Sequence, residues 1–171
     1  MTALVNGYFG GDLDSRLYQK LRVEKGLTYG VWGRYSALRE AGTFEVNTFS
    51  KTATTAAAVR EALGEIRRLR DLPPTREEMD INRSYVLGSF AASRETPQAQ
   101  ASDLWLIRNM RLPADYFGAY LQRCSKTTAD DCARLIRQTV DPDKLTIVVV
   151  GDAAKVRKDL EKIAPVTVVP P

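Results

Sequence analysis

An α+β fold is predicted for this chain of 171 residues. Three features predict it. Residues 29–38 and 43–50 carry β-branched or aromatic side chains at alternate positions, the signature of a hairpin. Several longer stretches place apolar residues three and four apart, the helical period. One near-continuous apolar run, Leu145-Thr146-Ile147-Val148-Val149-Val150, reads as a central strand covered on both faces. The order is helix, hairpin, several helices, strand, helix, which gives an α+β layer fold and not alternating βα units.

The elements follow in chain order. Leu4, Val5, Tyr8 and Phe9 have helical spacing, and Gly10-Gly11 is placed to end that helix with a left-handed cap. Asp14 or Ser15 can cap a second short helix, whose Leu17 and Leu21 lie four apart and which Gly26 stops. In the hairpin, Phe44 and Val46 point one way, Glu45 and Asn47 the other, and residues 39–42 form the turn. A helix over about residues 54–70 has Val59, Leu63 and Ile66 as its core stripe. After Pro73-Pro74, Thr75 and Glu78 form a capping box for a helix reaching about Ser93. Thr96-Pro97 opens another, with Ala101, Leu104 and Ile107 as its apolar face. Pro113 opens one to about Arg123, and Thr128 starts one to about Thr139. After the apolar run, Gly151-Asp152 leads into a last helix carrying Val156, Leu160 and Ile163, with a short strand over 166–169. No linker or repeat divides the chain, so residues 1–171 read as one domain.

Composition narrows the function. The net charge of +4 arises from basic residues interleaved with acidic ones; the Arg67, Arg68, Arg70 cluster reads as a solvated helix face, and no nucleic-acid module is present. No apolar run approaches the ~20 residues of a membrane span. Cys124 and Cys132 are too few and wrongly spaced for a disulfide framework or a zinc pattern, and read as buried thiols on successive helices, with a disulfide between them as the alternative. The sequence contains no histidine, which excludes H-x-x-E-H zinc sites, Ser-His-Asp triads and Cys-His pairs.

One stretch stands out, from Gly10 to Val31. Its pattern G-G-x-x-x-S-R-L-x-x-x-L-R-x-x-x-G-L-x-Y, with the hairpin, the long helices and the V-V-V-G-D run, resembles the C-terminal domain of pitrilysin/insulinase-type zinc metallopeptidases. Mitochondrial processing peptidase and many bacterial zinc proteases are similar. The resemblance implies a half-domain of the processing-peptidase type: an antiparallel-rich sheet covered by several helices. That domain normally begins with a strand before its first helix, so this chain is expected to lack its first strand and to leave a sheet edge unpaired.

The resemblance also implies a division of labour. One half of the active unit carries zinc; the other supplies an arginine and, seven residues later, a tyrosine that hold the substrate backbone near the metal. By position these are Arg22 and Tyr29. Arginine's donors suit peptide carbonyl oxygens, and a tyrosine hydroxyl can stabilise a developing oxyanion. Taken alone, Arg22 reads as a charge at a helix C-terminus and Tyr29 as a half-buried strand aromatic. Ser15 and Arg16 read as capping and docking residues, and Trp32 and Tyr35 as sheet-face packing. The expectation is therefore a non-catalytic, substrate-binding domain with no cofactor of its own. Its expected partners are a zinc-bearing peptidase domain, fused or separate, and a peptide substrate, with no nucleic acid and no membrane. A structural or assembly subunit without proteolysis is the alternative. The Ala- and Arg-rich composition is compatible with a bacterial source, cytoplasmic or periplasmic.

Overall fold

The computed structural model describes residues 1–169. Helix α1 (Thr2–Asn6) widens into a π-helical turn over Gly7–Gly11, and α2 (Arg16–Tyr18) does the same over Gln19–Glu24. An antiparallel hairpin follows, β1 (Val31–Ala37) and β2 (Gly42–Thr48), in the register Val31 opposite Thr48 and Tyr35 opposite Phe44. Helices α3 (Thr55–Asp71), α4 (Arg76–Ala92), α5 (Pro97–Asn109), α6 (Tyr116–Lys126), α7 (Ala129–Thr139) and α8 (Ala153–Leu160) complete the chain. The architecture is the α+β class expected from sequence.

The core forms where the apolar stripes of the first two helices meet the inner face of the hairpin. Leu4, Val5, Phe9, Leu17 and Leu21 are fully buried, against Ile66 and Leu69 of α3 and Ile136 of α7. Phe44 packs on Phe9 and Tyr35 at ring-centroid distances of 5.4 and 4.9 Å. Glu45 lies on the opposite face and pairs with Arg34 at 2.9 Å, as the alternation demands. A smaller cluster of Ala56, Val156 and Leu160 joins α8 to α3. Side-chain caps hold the long helices. Thr75 and Glu78 form a capping box on α4, Thr128 and Asp131 one on α7, and Thr96 accepts from the Ala99 N–H at the start of α5.

Several expectations are corrected. Gly10 is not a left-handed cap: its φ is −158° and its ψ 21°. Its smallness serves close packing, since a Cβ there would lie 2.3 Å from the Gly33 backbone nitrogen. The Ser15 hydroxyl sits at the start of α2 but donates backward to the Asp12 carbonyl at 2.7 Å and caps nothing. Helix α5 has no buried residue: Leu104 is 69% exposed, and its neighbour Trp105 is 64% exposed. The spacing of its apolar residues is helical, but no element covers that face among the described residues.

The largest difference is at residues 145–150. They form no strand; β2 pairs only with β1 among the described residues. Val148 is 81% and Val150 97% exposed, the reverse of a central strand. Hydrophobicity predicted the extended run but could not supply a neighbour for it to pair with. Residues 166–169 likewise carry no strand pairing.

Candidate functional site

The motif from Gly10 to Val31 folds into a wide-wound helix, a left-handed turn and the entry to β1. Arg22 sits in the last turn of that helix. Gly26, at φ +60°, takes the conformation that reverses the chain without a Cβ penalty. The turn is closed by main-chain bonds from the Gly26 N–H to the Arg22 carbonyl (3.1 Å) and from the Leu27 N–H to the Leu21 carbonyl (2.9 Å).

This turn brings Arg22 and Tyr29 together. The Arg22 guanidinium lies 4.4 Å from the centre of the Tyr29 ring, within cation–π range, and donates through Nη1 to the Tyr29 carbonyl at 2.7 Å. The Tyr18 ring, one turn earlier on the same helix, lies 5.0 Å from the guanidinium. Tyr29 is 74% exposed. A large aromatic this exposed is held by arginine stacking and not by a core. Among the described residues that bond is the only hydrogen bond of the Arg22 guanidinium, so further N–H groups stay available to an incoming carbonyl oxygen.

The segment between them is pinned from below. Buried Thr28 donates its hydroxyl to the Gly30 carbonyl at 2.7 Å and accepts from the Gly30 N–H at 3.0 Å. Thr48, at the end of β2, donates to the same carbonyl at 3.0 Å. The backbone on either side of Tyr29 is therefore fixed to the hairpin, while its ring projects outward. Sequence reasoning did not single out Thr28, Thr48 or Tyr18. The four-residue separation of Tyr18 and Arg22 is the signal that could have found Tyr18; the Thr28–Thr48 contact depends on hairpin register.

Arg16 behaves as the docking residue expected. It makes a bidentate ion pair with Glu78 (2.6 and 2.8 Å) and donates to the Leu72 and Pro73 carbonyls at 3.1 and 3.2 Å. Burial alone would raise the Glu78 carboxyl, but the bonds from Arg16 and Thr75 overcome it and hold that group below its ordinary range. Arg16 thus ties α2 to the N-terminus of α4 and does not reach the Arg22–Tyr29 pair. Tyr35 packs inward and shares a hydroxyl–hydroxyl hydrogen bond of 2.8 Å with Thr139, whereas Trp32 stands half-exposed on the outer face of the hairpin. Cys124 and Cys132 are buried free thiols on α6 and α7. Among the described residues no cluster of His, Cys, Asp or Glu could hold a metal ion, so zinc does not fit this chain's own residues.

Comparison with known proteins bears on the fold. Residues 2–85 match the family model described as the peptidase M16 inactive domain. A curated relative, the "Non-peptidase homolog YmxG" of Helicobacter pylori, is 24% identical over 148 residues, covering 85% of this chain and 34% of the relative. The chain thus spans about a third of the length of the curated relative it matches. Among solved structures, the peptidase M16 inactive domain from Pseudomonas fluorescens superposes with a TM-score of 0.78 at 21% identity, over 84% of this chain and 34% of that one. The inactive peptidase domain of a protein described as a zinc protease, from Bordetella parapertussis, gives 0.68 at 19% identity, over 80% and 74%. These likenesses show a shared fold.

Proposed function

We propose that this chain, whose residues 2–85 match the peptidase M16 inactive domain, holds peptide substrate for a zinc-bearing peptidase domain. The single observation that carries the reading is the Arg22–Tyr29 pair: a guanidinium with unused donors stacked on an exposed phenol, the phenol on a backbone pinned by Thr28 and Thr48. Such a pair presents directional donors to solvent at fixed spacing, which suits the carbonyl oxygens of an extended peptide.

Zinc would sit in the partner domain and supply the activated water there. This chain contributes no metal ligand. Arg22 would orient a substrate carbonyl by charge-assisted hydrogen bonding, and the Tyr29 hydroxyl would donate to oxygen as negative charge develops on it. The stacking fixes the tyrosine ring before substrate arrives, so less ordering entropy is lost on binding.

A second reading has specific support. The curated relative carries the name of a non-peptidase homolog, which favours a structural or assembly role without proteolysis. Reconstitution separates the two. The zinc-bearing domain, encoded with or beside this chain, is assayed for peptide hydrolysis with and without it. Activity that requires this chain and falls with Arg22→Ala supports substrate holding. A zinc-loaded complex that assembles and stays inert supports the structural role.

A further inference from the structure

The outer face of the hairpin is apolar only at the end that adjoins Tyr29. Gly30, the next residue, precedes Val31, whose side chain is buried inward, so a Cβ on Gly30 would point outward. That Cβ would meet the Phe49 ring at 3.6 and 3.8 Å, ordinary van der Waals distances. Neither crowding nor a positive φ therefore requires glycine here. What the missing side chain does is leave the Phe49 ring uncovered, and Phe49 is exposed. Trp32 lies two residues beyond Gly30 on the same face, half-exposed and opposite Asn47, which places it diagonal to Phe49. Farther along, the face turns polar with the Arg34–Glu45 ion pair at 2.9 Å.

We infer that Phe49 and Trp32, with the notch left at Gly30, form a subsite for one large aliphatic or aromatic side chain of the peptide held by Arg22 and Tyr29. The inference rests on the substrate-holding reading and adds the class of substrate. Tyr29 and Gly30 are consecutive, with Cα atoms about 3.8 Å apart. A peptide whose carbonyl meets the Arg22 or Tyr29 donors therefore lays a neighbouring side chain within reach of the Phe49 ring. Two exposed rings gain most by covering apolar surface. A basic side chain is repelled, because the Arg22 guanidinium is bonded to a main-chain carbonyl and keeps its full charge. An acidic one finds the face's own cation, Arg34, already paired with Glu45. Selection by an open notch is modest: a larger apolar residue is favoured over alanine by about tenfold.

The test reads binding and needs no turnover. Of the two tryptophans, Trp105→Phe leaves Trp32 as the sole emitter. This chain is titrated with acetylated and amidated pentapeptides, Gly-Gly-Xaa-Gly-Gly, in which Xaa is leucine, alanine or lysine. The leucine peptide is expected to shift Trp32 emission to the blue and to bind at least about tenfold more tightly than the alanine peptide, and the lysine peptide no more tightly than alanine. Phe49→Ala, at an exposed side chain, and Gly30→Val, which fills the notch, should each reduce the leucine-to-alanine ratio below about threefold. Arg22→Ala should weaken both peptides by the same factor and keep the ratio. The subsite is overturned if no peptide binds, if leucine and alanine peptides bind alike, or if lysine binds most tightly. It is equally overturned if both Phe49→Ala and Gly30→Val preserve the ratio. A preserved ratio with affinities that Arg22→Ala leaves unchanged would support the subsite and remove Arg22 from substrate holding, so the two readings fail separately.

Discussion

The Tyr29 hydroxyl is the smallest unit on which the functional proposal turns. Tyr29→Phe leaves the ring, and so the stacking on Arg22, in place while deleting one donor. In the assembled peptidase, turnover is expected to fall by about 100-fold, as for the loss of one oxyanion donor. Because the ring is exposed, unfolding free energies from urea titration should agree within about 0.5 kcal/mol. Turnover within twofold of wild type would remove the hydroxyl from the reaction. A different residue-scale expectation concerns the thiols. Burial pushes Cys132 up to about 11 and also raises Cys124. Neither is expected to react with iodoacetamide at pH 8 in the native chain, and both should react once urea unfolds it.

Elements are held to one another by a few contacts whose failure is local. Where the first helical turns cross the hairpin, Gly33 admits Phe9 and Leu17: a Cβ there would meet Leu17 Cδ1 at 2.6 Å and Phe9 Cε1 at 2.8 Å. Gly33→Ala is expected to cost about 1–3 kcal/mol by chemical denaturation, the penalty of overpacking. Helix α3 carries a different kind of tension, a buried glutamate. Burial raises the Glu65 carboxyl, and Arg68, Lys20 and Arg16 only partly offset it. A carboxyl raised in the folded state stabilises fully below its unfolded value, and that contribution is lost as pH rises through the folded one. Glu65→Gln should therefore raise the melting temperature at pH 8 relative to wild type, with the difference narrowing toward pH 4. Parallel melting curves at both pH values would disprove this. Glu78 has the opposite sign. Its depressed carboxyl, bonded by Arg16 and Thr75, supports α4 above the ordinary carboxylate range, and that support fades as pH falls through its folded value.

On the scale of the whole molecule, one side of the fold is closed and the other open. The core under the hairpin is densely buried, whereas Val59 and Leu63 of α3 are only half-covered and line a cavity of about 550 Å³ with β2 and residues 145–150. This asymmetry predicts how the isolated chain responds to mutation. Val150→Thr, at a nearly fully exposed site, should change stability by no more than about 0.5 kcal/mol in urea titration. A covered central strand would lose more, and a loss above 1.5 kcal/mol would show that this segment is buried in solution.

What the sequence determined by itself is local. The capping box at Thr75, the helix start at Thr128, the proline-opened α5, the helix stop at Gly26 and the alternation of the hairpin are written in neighbouring residues, because caps, turns and periodicity act over a few positions. The Gly10–Val31 pattern likewise pointed to Arg22 and Tyr29, whose placement depends on one helix end and one turn. Only tertiary structure decided what each surface meets. The helical spacing of α5 did not reveal that its apolar face lies open. The β-branched run at 145–150 did not reveal that it pairs with no strand among the described residues. Gly10 and Gly33 did not announce that they touch each other. Hydrophobicity states what a segment gains by being covered; whether another element arrives to cover it is a long-range property, settled by the packing of the whole chain.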